Sequence, residues 1–354
     1  MIKVFEAFAG YGGASFALQK AGIEYETVGF SEIDKNAIKC YQLNHPGVKN
    51  FGDITKVKPE DIDDFDMFTG GFPCQAFSIA GKGLGELDPR GTLFYEIIRI
   101  CEVKKPKWIF LENVAGLTYE PHEKTFQKVL SELDRIGYNI KYRLMNSKYY
   151  GTPQSRERIY FVCYRKDLEI ESNPFPKSKL LNITVKDILQ NDIDEKYYLT
   201  DKQLESMKSR ERFGDHLFET EVPIVHPTLC SIGKSDVAVI LDNSRIRKDE
   251  QFIREYENIS PTLHSRCSEL ITEEKSDKRY RRLTPRECFR LQGFFNDEIK
   301  LDGLSDSACY KLAGNGWDIN TVSQIFDRMF NHKDFNGVKH ETYGYIHNTK
   351  GWFK

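Results

Sequence analysis

The chain has 354 residues, 40% hydrophobic and 29% charged, with a formal net charge of −2, enough for one large core and a second lobe. The near-neutral balance excludes a global positive field, so any surface for nucleic acid must be local. Its 8 cysteines form no CxxC pair and show no Cys/His metal spacing, so neither a disulfide framework nor a zinc site is indicated and no metal is expected.

Met1 runs straight into Ile2-Lys3-Val4-Phe5, a strand pattern and not a signal peptide, and no apolar run approaches membrane-spanning length. A soluble, cytoplasmic protein without membrane contact is expected. In chain order, Ile2 to Phe8 predicts a strand ending at Gly10-Tyr11-Gly12-Gly13. Ala14 to Ala21 predicts a helix stopped by Gly22, and Tyr25 to Ile33 a second strand that ends in Glu32 and Asp34. Lys35 to Asn44 predicts a short amphipathic helix closed by His45-Pro46-Gly47. Phe65 to Thr69, Trp108 to Leu111 and Arg158 to Tyr164 predict strands; Phe94 to Val103 and Thr125 to Ile136 predict helices. This βαβ rhythm gives an α/β fold: a doubly wound, mostly parallel sheet with helices on both faces.

From about Pro174 the rhythm stops. Lys177 to Asp277 is polar and irregular, a separate loop-rich lobe with some β character at Val237 to Leu241. Order returns at Thr284-Pro285-Arg286-Glu287, which combines a cap, a first-turn proline and a capping-box acid. A last helix follows Asn320 towards Phe330, and no internal repeat is visible.

Several clusters carry chemistry. Phe8-Ala9-Gly10-Tyr11-Gly12-Gly13 lets the backbone turn tightly and approach a ligand at a helix N-terminus. Glu32 follows about 20 residues on, where an acid can accept both ribose hydroxyls of a nucleoside. Position 15 is Ser, so the dinucleotide fingerprint is incomplete, and a nucleoside without pyrophosphate suits the loop better. A plain turn is the alternative. Asp53 is placed to accept from an adenine amino group, and Ile54 to pack on its ring.

Cys74 stands in Gly71-Phe72-Pro73-Cys74-Gln75, at the end of an apolar run and before a segment with Gly81, Gly83, Gly85 and Gly91. Pro73 fixes φ and presents the thiol at a strand end, which reads as a nucleophile under a mobile loop. Cys40, Cys101, Cys163, Cys230, Cys267, Cys288 and Cys309 mostly sit inside helix or strand patterns and read as core. Glu112, straight after Trp108-Ile109-Phe110-Leu111, reaches the same sheet edge and can donate a proton if burial raises its pKa; a helix cap is the alternative. Arg156 and Arg158, two apart on a strand, share one face that can hold a base carbonyl and a phosphate; a solvated pair is the alternative. Lys278 to Arg290 is the densest cationic run, either a phosphate patch or a solvated face.

Together these motifs resemble the C5-cytosine-specific DNA methyltransferases of the type II bacterial and phage kind. The ordered set is Phe-Ala-Gly-Tyr-Gly-Gly, Ser-Glu-Ile-Asp, Gly-Asp-Ile, Gly-Phe-Pro-Cys-Gln, Glu-Asn-Val, Gln-Ser-Arg-Glu-Arg and Arg-Glu-Cys-x-Arg-x-Gln-Gly-Phe, then Ala313-Gly314-Asn315-Gly316-Trp317. It covers residues 2 to 166 and 281 to 330. Glu6 stands where the family's first motif usually has Asp, and Gly316-Trp317 replaces commoner small and β-branched residues.

The resemblance implies a Rossmann-like methyltransferase sheet over 1–184, completed by 281–330. It implies a smaller, loop-rich target-recognition domain over 185–280, with 331–354 as a tail that has no family counterpart. It implies S-adenosyl-L-methionine bound by Phe8, Ala9, Gly10, Tyr11, Gly12, Gly13, Glu32, Ile33, Asp53, Ile54, Pro73, Asn315 and Trp317. Cys74 adds to C6 of a flipped-out cytosine, Glu112 stabilises a proton at N3, Arg158 holds the O2 edge, and Arg156 and Gln75 complete the catalytic set. Ser78, Lys82, Arg90, Thr262, Arg281 and Arg282 are expected on double-stranded DNA. The protein is expected as a monomer, with a cognate restriction endonuclease as functional partner only. A tRNA cytosine-C5 methyltransferase and a non-catalytic DNA-binding homologue are the competing readings, and an NAD-linked oxidoreductase a distant one. The sizeable lobe at 185–280 favours DNA, and intact Cys74, Glu112 and Arg158 favour catalysis.

Overall fold

The computed structural model describes residues 1–72, 92–120, 122–168, 170, 173–200, 202, 260–261, 270–273 and 279–331. The main sheet takes β1 (Ile2–Ala7), β2 (Tyr25–Ser31), β3 (Met67–Gly70), β4 (Trp108–Val114), β5 (Tyr138–Asn146) and β7 (Glu157–Arg165). Its order is β2-β1-β3-β4-β7-β5. The pairs β2/β1, β1/β3 and β3/β4 are parallel, while β7 is antiparallel to both β4 and β5. From β1 the chain winds outward in both directions, so the parallel strands end together at Ala7, Ser31, Gly70 and Val114. Arg158, opposite Val114, brings the start of β7 to that same edge. Short β6 (Gln154–Ser155) pairs with β8 (Ser260–Pro261), and β9 (Leu270–Glu273) with β10 (Arg279–Arg282).

Strand side chains alternate between two buried faces, as a largely parallel sheet requires. Phe5, Ala7, Phe68, Ile109 and Leu111 enter one cluster, with Ile97 and Cys101 of α3 (Thr92–Lys104) and Phe126 and Val129 of α4 (Glu123–Arg135). Val4, Met67, Phe110 and Val162 enter the other, with Ala17 and Leu18 of α1 (Gly13–Lys20) and Val322, Ile325 and Phe326 of the helix Ile319–Phe330. Between β2 and β3, α2 (Lys35–Asn44) is capped by Asp34, whose side chain accepts from the N–H groups of Asn36 and Ala37.

A third cluster joins α5 (Val185–Ile188) to the C-terminal helices α6 (Pro285–Arg290), α7 (Asp306–Asn315) and α8 (Ile319–Phe330). The expected cap at Thr284 forms as a full capping box with Glu287. Val185 and Ile188, inside the stretch expected to be a separate lobe, are instead buried against Phe289 and Leu291. β5 and α7 are not among the expected elements. Val237 to Leu241 and the tail beyond Asn331 lie outside the described residues.

Candidate active site

At the end of β1 the chain turns through Phe8 (φ 52°), Gly10 (φ 57°) and Gly12 (φ 90°) before α1 begins. Gly12 is required twice over, because a Cβ there would also stand 2.6 Å from the His45 ring. The turn is pinned from outside. Gly10 N–H donates to Glu32 Oε2 at 2.9 Å, while Ile33 and Asp34 N–H donate to Oε1 at 2.8 and 2.9 Å. Glu32 is therefore tied to the loop it was expected to serve. A carboxylate offers roughly four lone-pair sites, so these bonds leave about one, on Oε2, for a ligand hydroxyl. Ile33 is 72% exposed beside it, an apolar face held in water.

The turn, the end of β4, the start of β7 and α7 enclose a cavity of ≈ 410 Å³, with Glu32 on one wall and Glu112 and Arg158 on another. That size lies in the range of small-molecule sites. A smaller recess of ≈ 60 Å³ lies against it, lined by Glu6, Gly13, Gly71, Glu112 and Trp317 among others.

Glu112 is 8% exposed, and its Oε1 stands 2.9 Å from Arg158 Nε and 4.0 Å from Arg156 Nη2. Among the described residues this oxygen is therefore held by guanidinium charge and meets no well-aligned hydrogen-bond donor. A buried carboxylate on a cavity wall, charge-paired on one side, is suited to a ligand N–H on the other. Burial, then the neighbouring Arg156 charge, lowers the Arg158 pKa to about 10. Arg158 Nη1 donates to the Glu157 carbonyl at 2.7 Å.

Arg156 shares the face of Arg158 as expected, but its fork is occupied. It donates to the Gly314 carbonyl at 3.3 Å and the Gly316 carbonyl at 2.6 Å, and so anchors the end of α7 to the site. Tyr11 is buried in the same joint, and its hydroxyl donates to the Trp317 carbonyl at 2.5 Å. A Cβ on residue 316 would collide with the Tyr11 ring, which explains Gly316 in this chain. Trp317 packs on Gly13, where a Cβ would lie 3.4 Å from the ring, and Asn315 lines the cavity.

Asn113, which sequence reasoning left in its motif without a role, is 3% exposed and donates to the Phe72 carbonyl at 2.9 Å. It fixes the strand end just before Pro73 and Cys74. Its signal was its position next to Glu112 at a strand terminus. Asp53 Oδ1 caps the following turn by accepting from Thr55 N–H at 3.0 Å. That cap turns Ile54 into the main core at 3% exposure, so Ile54 backs the wall and offers a ring no open face.

Pro73, Cys74, Gln75, Ser78, Lys82, Arg90 and Thr262 lie outside the described residues. Arg281, expected on DNA, is buried instead. Its guanidinium donates to both oxygens of Glu287, at 2.8 and 2.9 Å, and presents no surface to a phosphate. Arg282 is half-buried. Cys40, Cys101, Cys163, Cys288 and Cys309 are buried, as their patterns implied. Burial pushes Cys40 up to about 12 and Cys309 to about 11, so neither supplies a thiolate near neutral pH.

The sheet with its ligand crevice at the strand ends defines the fold of a methyltransferase. Residues 2–331 match the family model of the C-5 cytosine-specific DNA methylases. The chain belongs to this family and is a DNA (cytosine-5-)-methyltransferase. It is 36% identical over 338 residues to the type II methyltransferase M1.ScrFI of Lactococcus lactis subsp. cremoris, covering 92% of this chain and 77% of that protein. It is 35% identical over 324 residues to the type II methyltransferase M.HhaI of Haemophilus parahaemolyticus, covering 92% and 93%. Among solved structures, the S. pombe Dnmt2 methyltransferase superposes with a TM-score of 0.70 at 20% identity, covering 95% of this chain and all (100%) of that one, a likeness of fold. No helix among the described residues is long and apolar enough to cross a membrane.

Proposed function

We propose that the enzyme methylates C5 of a flipped-out cytosine in a short duplex DNA sequence, with S-adenosyl-L-methionine as donor and Cys74 as nucleophile. The observation that carries this reading is the buried Glu112, ion-paired through Oε1 to Arg158 on the wall of the cavity shared with Glu32. The residues fit the donor: Glu32 keeps one acceptor site for a ribose hydroxyl, Ile33 offers an apolar face to adenine, and Trp317 and Asn315 line the inner end. When bound, the donor supplies an electrophilic methyl group. The Cys74 thiolate adds to C6 of cytosine, Glu112 holds a proton at N3, and Arg158 faces the O2 edge, which makes C5 nucleophilic. After C5 accepts the methyl group, loss of its proton and elimination of Cys74 restore the aromatic ring and the thiolate.

Residues from about 200 to 280 read the target sequence in this proposal. Ser78, Lys82, Arg90, Thr262 and Arg282 remain candidates for DNA contact, and Arg281 does not. A cognate endonuclease as functional partner, and a cytoplasmic location, belong to this proposal as well. The test is methyl transfer to duplex DNA, with bisulfite sequencing of DNA from cells expressing the chain. Cys74→Ala is expected to abolish transfer while duplex binding persists; full activity of that variant would refute the nucleophile, and activity on tRNA alone would refute the substrate.

A further inference from the structure

The loop that carries Glu32 is braced from across the cavity. Asp34 N–H donates to Glu32 Oε1 at 2.9 Å, and Asp34 Oδ1 accepts from Asn36 and Ala37 N–H at 2.9 and 3.1 Å. Its other oxygen, Oδ2, accepts from Lys311 Nζ of α7 at 2.6 Å. Lys311 is the leading cause that holds the Asp34 carboxyl below the usual carboxylate range. Asp34 and Lys311 both line the cavity, so the pair spans from the β2–α2 turn to α7 beside the ligand space. The end of α7 is in turn held by Arg156, next to Glu112. One connected path therefore runs from the cytosine-side cluster through α7, Lys311 and Asp34 to the ribose acid.

We propose that Lys311 is a positioning residue for the donor's ribose: by holding Asp34 it fixes the turn that presents the free lone pair of Glu32. The inference rests on the nucleoside reading of the site. Lys311 touches no reacting atom. Its effect is to narrow the positions of Glu32, so it acts on ligands with ribose hydroxyls and leaves others alone. The pair is partly exposed, with side chains at 53% and 30%, so its contribution is modest. A pair of this kind is worth about a threefold change in affinity.

The experiment titrates the full-length protein calorimetrically with S-adenosylhomocysteine and with its 2′,3′-dideoxy analogue. The wild type is expected to bind the first more tightly. Lys311→Met is expected to weaken that binding about threefold and to leave the dideoxy analogue unchanged. Asp34→Asn retains an oxygen to cap α2 but loses the charge, and is expected to reproduce the effect without adding to Lys311→Met. If the wild type binds neither ligand, or binds both equally, the ribose reading of Glu32 fails and the inference with it. If the wild type discriminates but Lys311→Met weakens both ligands alike, or neither, the ribose reading stands and the positioning role is overturned.

Discussion

Arg281→Met removes one partner of an ion pair whose side chains are 1% and 0% exposed. In the native chain the Glu287 carboxylate accepts four bonds: the Arg281 fork, Thr284 N–H at 2.7 Å and Gln190 N–H at 2.8 Å. The variant leaves that carboxylate with two amides and no counter-charge. Removing one partner of a buried pair costs about 3–5 kcal/mol, and the methionine recovers part of the packing of the arginine stem, so about 3 kcal/mol is expected. Against a total of roughly 5–15 kcal/mol this is a large fraction, and in a chain of this length it lowers Tm by roughly 4 °C. Guanidinium denaturation should show a lower midpoint at unchanged slope. A loss below about 1 kcal/mol would mean that the pair is solvated, and the burial argument would fall.

The same variant tests the role that a cationic run suggests. A phosphate-contacting arginine contributes roughly one unit to the slope of log affinity against log salt. With Arg281 turned into Glu287, that slope should be the same in wild type and variant, measured at a temperature where both are folded. Arg281→Met/Glu287→Gln should recover part of the lost stability, because the orphan charge is gone while an amide oxygen still accepts from Gln190 or Thr284.

Asn113→Ala leaves the buried Phe72 carbonyl and Val114 N–H without a side-chain partner, at a cost of about 1–3 kcal/mol. Single-turnover methyl transfer should slow while donor affinity holds; an unchanged rate would remove Asn113 from the positioning of the Cys74 segment. Burial raises the pKa of Glu6, which has Ser15 and Tyr41 as hydroxyl donors to Oε1 at 2.5 and 2.8 Å. The folded chain therefore keeps a proton that the unfolded chain gives up, and stability falls as pH rises from the unfolded to the folded pKa. Glu6→Gln keeps an oxygen for both donors, so it should flatten that decline in urea denaturation across a pH series; parallel curves would show that the Glu6 charge carries no penalty.

What the sequence made legible was local. Strand ends with glycine or an acid, the Thr284 capping box and the cysteines inside helical patterns all declare themselves within a few residues, and the structure keeps them there. What stayed hidden depends on partners distant in the chain. β5 was silent because Lys141 and Arg143 interrupt its apolar residues and it lies at the sheet edge. α7 was different: Ser305 as a cap and Cys309, Leu312 and Ala313 at i, i+3 and i+4 are local helix signals that went unread, and only their burial against α2 and residues 283–301 is long-range. Arg281 reads as surface charge until Gln190 and Glu287 meet around it. Arg156 illustrates the consequence for the site. Type and spacing identified the face that it shares with Arg158, but its task follows from Gly314 and Gly316, carbonyls that arrive from more than a hundred residues away. Arg158, whose fork among the described residues is claimed only by the Glu157 carbonyl, is the arginine left facing Glu112. A motif can therefore nominate both side chains, and only the long-range contact separates the one that anchors the end of α7 from the one that pairs closely with Glu112.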